Sequence, residues 1–283
     1  MPPSFEGLRV LALESRRASE LAALITSHGG HPIVAPAMRE VPLESNTQAA
    51  DFARTLIRDG FDVVILLTGV GTRALLDVVD RAGLRGEFLA ALRNTRVVVR
   101  GPKPLAVLRE IDVPVWVAAP EPNTWREILS ALDAKRDDYS LEGARVAVQE
   151  YGVSNTDLLD ALRDRGAQLT TVPVYKWALP EDVEPLTQAI GAIADGRVDV
   201  VLFTTGVQVA HLYQMASTLG REPELHAGLR RTLIASIGPS TTEELQRRGL
   251  AADLEPSHPK MGFLVREAAE QAAGLLRAKR GTA

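Results

Sequence analysis

Apolar positions along the chain follow two alternating periods. Short β-rich runs recur at Arg9 to Glu14, Ile33 to Pro36, Val63 to Leu67 and Arg96 to Val99. They recur again at Arg145 to Glu150, Leu169 to Val174, Val200 to Phe203 and Thr232 to Ile237. Near-continuous Val/Ile/Leu runs such as Val63 to Leu67 and Val200 to Phe203 mark parallel strands covered on both faces. Between the runs, apolar residues return at helical spacing, as in Leu21, Leu24 and Ile25 and in Leu158, Leu159 and Leu162. Gly29 and Gly166 close these two helices, as expected of the residue that enters a left-handed C-terminal position most easily.

The second half of the pattern repeats the first. Phe61 to Val70 reads FDVVILLTGV and Val198 to Val207 reads VDVVLFTTGV, with six of ten positions identical at an offset of 137 residues. The same offset pairs Gly29 with Gly166, Pro36 with Pro173, Leu92-Arg93 with Leu229-Arg230 and Gly101-Pro102 with Gly238-Pro239. Each half alternates strand and helix about five times, ending in a weaker fifth strand and a last helix. The alternation predicts an α/β fold of two doubly wound, parallel-sheet, flavodoxin-like domains.

Composition narrows the function. The 283 residues are 46% hydrophobic and 24% charged, ordinary for a globular chain, and long enough for two cores. A net charge of -4 argues against nucleic acid as a partner, and an anionic ligand would have to be held by local donors. The absence of cysteine removes disulfides, thiolate catalysis and Cys-based metal sites. The five histidines form no helical pair and sit beside no acidic cluster, so no metal is expected. No apolar run approaches the ~20 residues of a membrane helix, and Met1 to Glu6 lacks signal-peptide character. A cytoplasmic protein with no membrane partner is the expectation.

Candidate chemistry gathers at strand-to-helix turns. Gly69 to Ala74 matches a G-x-G-x-x-A pattern. It follows the third strand of its half, lacks the downstream acidic residue, and loses its second glycine in the repeat at Gly206-Val207-Gln208, all of which weigh against a dinucleotide site. Thr68-Gly69 and Thr204-Thr205-Gly206 read instead as turns at the C-terminal edge of a sheet, where open α/β folds bind ligands. The helix N-terminal amides there suit carboxylates. A threonine in such a turn also serves simply as an N-cap, the first reading for Thr68, and both readings stand for Thr204 and Thr205. Gly238-Pro239-Ser240-Thr241 opens another helix, with Ser240 or Thr241 as cap and Glu243 or Glu244 closing a capping box. Its counterpart at Gly101 keeps the turn without a hydroxyl. Asp62 and Asp199 look like solvated strand starts, and Arg277 to Arg280 like a frayed, solvated helix end. Tyr175 and Tyr151 stand at strand ends, as packing or as hydrogen-bond donors. Arg16 follows the first strand, where it could meet a ligand carboxylate.

These residues converge on a family. Val200-Val201-Leu202-Phe203-Thr204-Thr205-Gly206 looks like an apolar strand followed by F-[TS]-S. Ile237-Gly238-Pro239-Ser240-Thr241-Thr242, with Leu245 and Gly249, looks like I-G-x-x-T-x-x-x-L-x-x-x-G, and Pro173-Val174-Tyr175 is similar to P-x-Y. In this order, across a duplicated chain, they resemble the uroporphyrinogen-III synthases. That resemblance implies cyclisation of the linear tetrapyrrole hydroxymethylbilane to uroporphyrinogen III, with loss of water and inversion of ring D through a spiro-pyrrolenine. It implies no metal, no organic cofactor, a monomer, and a substrate handed over by the preceding synthase.

The resemblance also implies that each half lends its first strands to the other domain. Residues 1–38 with 180–283 would form one domain and 43–175 the other, joined by linkers 38–42 and 176–180, with the substrate in the cleft between them. Tyr175 takes the role of proton donor to the departing hydroxyl. Thr204, Thr205, Gly206, Gly238, Pro239, Ser240, Thr241, Thr68, Gly69, Gly101, Tyr151 and Arg16 take substrate-binding roles. Thr205 replaces a serine common in the family, and Pro104 stands where some members carry threonine. Two rival functions are a non-catalytic tetrapyrrole-binding or regulatory protein of the same fold and, from Gly69 to Ala74 alone, a nucleotide-dependent oxidoreductase.

Overall fold

The structure, a computed structural model, describes residues 3–42, 47–152 and 154–281, with the side chains of Pro42 and Tyr151 outside the description. In chain order the elements begin with β1 (Arg9–Ala12), α1 (Ala18–Ser27), β2 (His31–Val34) and β3 (Arg39–Pro42). They continue with α2 (Thr47–Asp59), β4 (Val63–Leu66), α3 (Gly69–Arg81), α4 (Arg85–Arg93), β5 (Arg96–Val99), α5 (Pro102–Glu110), β6 (Val117–Ala118) and α6 (Trp125–Asp133). The second half holds β7 (Arg145–Gly152), α7 (Thr156–Arg163), β8 (Gln168–Ala178), α8 (Glu184–Ala194) and β9 (Val200–Phe203). It ends with α9 (Gly206–Thr218), α10 (Glu222–Leu229), β10 (Leu233–Ser236), α11 (Pro239–Gln246) and α12 (Met261–Gly281). The mixed α/β architecture with parallel sheets is the one expected.

The chain divides into two compact units, Met1–Arg39 with Ala178–Ala283, and Glu40–Trp177. The first unit holds a four-stranded sheet of order β10-β9-β1-β2, its strand pairs all parallel. Period-two alternation sends Leu11, Val201 and Phe203 into one core with Ile190, Leu212 and Leu225. It sends Val10, Val200 and Leu202 into another, with Leu21 and Ile25 of α1 and Leu264 and Ala268 of α12. Two covered faces are why these strands carry apolar residues at every position. Each fully buried side chain of this kind contributes roughly 1.5–3 kcal/mol.

The second unit holds a six-stranded sheet, β3-β8-β7-β4-β5-β6, in which the pairs from β8 to β6 are parallel. Val64 and Leu66 face a core with Phe52, Phe88 and Leu108. Val63 and Ile65 face one with Ile128, Leu132 and Leu158. β8 outruns the segment Leu169 to Val174 suggested by hydropathy, because it continues to Ala178.

The weaker fifth strand of the second half is a single parallel bridge of Leu254 to Ala235, in which Leu254 O accepts the Ser236 N–H at 2.9 Å and Ile234 O accepts the Asp253 N–H at 2.8 Å. Three expectations are corrected. Asp199 is not solvated but 6% exposed. It accepts the backbone N–H and guanidinium of Arg9 and a bond from Arg280 at 2.9 Å. The C-terminal charge run does not fray: Lys279 Nζ donates to Thr232 O at 2.9 Å and to Asp253, and Arg280 to Asp199. Ser240 and Thr241 cap nothing, because Pro239 starts α11 and Gly238 holds the N-cap position without a side-chain bond.

Candidate functional site

Unit 1 brings Thr204, Thr205 and Gly206 to the C-terminal end of β9. Thr205 is the N-cap of α9 and accepts the Val207 N–H at 3.4 Å. Thr68, at the equivalent position in unit 2, caps α3 by accepting the Gly71 N–H at 2.9 Å. Both threonines thus serve as caps. Thr204 is different. Its backbone N–H donates to Gln208 Oε1 at 2.8 Å, its hydroxyl accepts from Gln208 Nε2 at 2.8 Å, and its proton goes to Glu14 Oε2 at 2.7 Å. Glu14 and Gln208 lie outside the set of residues singled out from the sequence.

The glycine pattern around Gly69 has a packing cause. A Cβ at Gly69 would lie 2.9 Å from Lys103 O, and one at Gly206 would lie 3.2 Å from Glu244 Cβ and 3.5 Å from Ser240 O. Each glycine lets its helix approach the helix after the next strand. A Cβ at Gly71 would strike the side chain of Gln149. Gln149, 1% exposed, accepts the Leu67 N–H at 3.3 Å. In unit 1 the amide comes from the other side: Gln208 replaces the second glycine, and Leu13 holds the strand position equivalent to Gln149. A buried glutamine therefore serves the same turn in both units, from a strand in one and from a helix in the other.

Around α11, Gly238 and Thr241 are buried, Pro239 is half-buried and Ser240 is exposed. Thr242, absent from the sequence reading as a site residue, is hydrogen-bonded through its hydroxyl to Ser236 Oγ at 2.9 Å and donates to the Glu255 carboxylate. Arg16 is exposed in the turn before α1. In unit 2, Gly101 caps α5, and a Cβ there would meet Asn123. Tyr175 is 6% exposed, its ring edge-on to Trp177 at 5.3 Å. The side chain of Tyr151 lies outside the described residues.

The first turns of α3, α9 and α11 carry the positive end of a helix dipole, which suits carboxylates, while the Gly71, Val207 and Thr241 N–H groups there already donate to Thr68, Thr205 and Gly238 O. Another concavity of unit 1, about 1110 Å³, is lined by Tyr213, Ser217, His226, Arg247 and Arg248 among others. Its polar groups engage one another. Tyr213 bonds His226 Nδ1 at 2.8 Å, both arginines pair with Glu244, and burial pushes the Tyr213 phenol up to about 12. Among the described residues no group of three or more His, Cys, Asp or Glu is placed to hold a metal ion, and no helix is long and apolar enough to cross a membrane.

Parallel sheets in two units, each edged by strand-to-helix turns, define a class: a two-unit α/β protein with parallel sheets. Within that class, the chain belongs to the uroporphyrinogen-III synthase family, whose model, described as Uroporphyrinogen-III synthase HemD, matches residues 19–266. It is 30% identical over 265 residues to "Uncharacterized protein YjjA" of Bacillus subtilis (strain 168), covering 93% of this chain and 96% of that one. It is also 30% identical over 239 residues to a Methanothermobacter thermautotrophicus protein named "Putative uroporphyrinogen-III synthase", covering 83% and 87%. In fold it is similar to a mutant uroporphyrinogen III synthase from Thermus thermophilus, with a TM-score of 0.72, 24% identity, and coverage of 94% and 99%.

Proposed function

We propose that the protein catalyses the family's reaction, converting hydroxymethylbilane to uroporphyrinogen III. The observation that carries the proposal is the family match running through both units, from residue 19 to 266. The substrate is a flexible polycarboxylate. Main-chain amides at the first turns of α3, α9 and α11 would hold its acetate and propionate groups, which requires no net positive protein. Folding the chain so that the correct carbon meets the electrophile supplies much of the rate.

In the proposed sequence Tyr175 gives its phenolic proton to the terminal hydroxyl. The C–O bond breaks, water leaves, and the ring nitrogen's electron pair completes an azafulvenium ion. The substituted carbon of ring D attacks the exocyclic carbon to form the spiro-pyrrolenine, which reopens and recloses in the inverted sense. Loss of a ring proton restores the pyrrole. The test is isomer analysis of the oxidised product formed from freshly generated hydroxymethylbilane. Type III isomer in excess over the enzyme-free control is the expected result, and type I alone would refute the function.

A further inference from the structure

The Thr204 cluster presents an acceptor where a polycarboxylate would be met by donors. Thr204 has a single hydroxyl proton, and it is committed to Glu14 Oε2 at 2.7 Å, while Gln208 Nε2 donates to that hydroxyl at 2.8 Å and Gln208 Oε1 accepts the Thr204 backbone N–H at 2.8 Å. Gln208 is fully buried. What the cluster offers outward is Glu14, a half-buried carboxylate just past β1 whose other oxygen, among the described residues, takes a long bond, 3.4 Å, from the Arg17 N–H.

A carboxylate is a poor neighbour for acetate and propionate groups and a good one for N–H donors. The repeat adds an independent observation. Glu150 stands 136 residues after Glu14, two residues before the end of β7, and its Oε1 is buried with no hydrogen-bond partner among the described residues. A buried, unpaired carboxylate oxygen is costly unless something completes it. Each unit therefore ends its first strand of the repeat with a carboxylate whose acceptor capacity exceeds its donors.

Resting on the function proposed above, we infer that Glu14 is a catalytic residue. Its carboxylate accepts a pyrrole N–H of the bound tetrapyrrole and stabilises the positive charge that develops on that nitrogen as water departs. Thr204 and Gln208 are its positioning residues. Because the charge is absent from the ground state, the interaction strengthens on the way to the transition state and acts on turnover more than on binding.

The experiment compares the parent chain with Glu14→Gln and Thr204→Val, using freshly generated hydroxymethylbilane and following type III product, with thermal melts as the folding control. Parent activity is measured first: if the parent forms no type III product, the proposed function fails and the role of Glu14 fails with it. With an active parent, Glu14→Gln is expected to lower kcat by on the order of ten- to a hundred-fold, with KM changed by less than about threefold. Unchanged kcat, or a loss confined to KM, overturns the inference while leaving the function standing. If Glu14→Gln fails to fold, Thr204→Val decides: it keeps the carboxylate and removes the hydroxyl that orients it. A several-fold fall in kcat at constant KM supports the inference, and parent-like kcat overturns it.

Discussion

A single missing methyl at Gly71 leaves room for the side chain of Gln149, which in turn bonds the backbone of Leu67. Gly71→Ala is expected to cost about 1–3 kcal/mol in denaturant unfolding, the usual range for overpacking a dense core. Pairing it with Gln149→Ala should recover part of that loss, so that the double variant is more stable than the sum of the two single effects. Strictly additive losses would show that the two side chains do not compete for space. Tyr175 belongs to the same scale. Its ring packs against Trp177 at 5.3 Å, and Tyr175→Phe keeps that ring while removing the phenol. Turnover should fall at least several-fold with the melting temperature unchanged, and parent-like turnover would make Tyr175 a packing residue.

At the scale of elements, the ion pairs around Asp199 fasten α12 to the start of β1 and β9. Burial alone would raise the Asp199 carboxyl, but bonds from the Arg9 side chain and backbone and from Arg280 outweigh it and hold the group well below the usual carboxylate range. The sign of the linkage follows. A carboxylate with a depressed native pKa stabilises the fold above its unfolded pKa of about 3.9, and that stabilisation is lost as pH falls through the lower native value. Asp199→Asn should therefore cost about 1–3 kcal/mol near neutral pH. The gap between parent and variant should close as the pH of the unfolding measurement drops below about 4. A gap that stays constant down to pH 2 would assign the loss to packing.

For the whole molecule, the two units differ in how the chain builds them. Glu40–Trp177 is one continuous segment with a six-stranded sheet and both cores of its own. The other unit needs β1 in the interior of its sheet, between β9 and β2, although β1 lies at the far N-terminal end of the chain. Expressed alone, residues 40–177 should unfold cooperatively on heating, whereas residues 178–283 should show no cooperative transition, because β9 would lose the parallel partner that covers its edge. Circular dichroism melts of the two fragments check both statements. A cooperative melt of 178–283 would refute the second.

How much of this was legible in the sequence varies with the range of the interaction. Strand and helix type, the duplication, the capping by Thr68 and the closing glycines are set by residues within one or two turns of each other, and hydropathy and turn chemistry display them directly. The Thr204 turn was legible as a place but not as a chemistry. Its hydroxyl is governed by Glu14, which lies 190 residues away in the chain, and no local pattern marks a carboxylate that a distant threonine will hold. Gln149 and Gln208 were missed for the same reason, since buried glutamines look like any polar residue until the backbone they satisfy is placed beside them. Asp199 and the basic C-terminus read as solvated for want of each other.

By itself, then, the sequence determined the period of its elements, their order, and the family motifs at the strand-to-helix turns, because each depends on side chains close together in the chain. The tertiary structure alone decided which polar groups are buried, which threonine is a cap and which orients a carboxylate, and why one G-x-G glycine survives in only one half. Those outcomes depend on which distant segments share a volume, and that is fixed only when the sheets form.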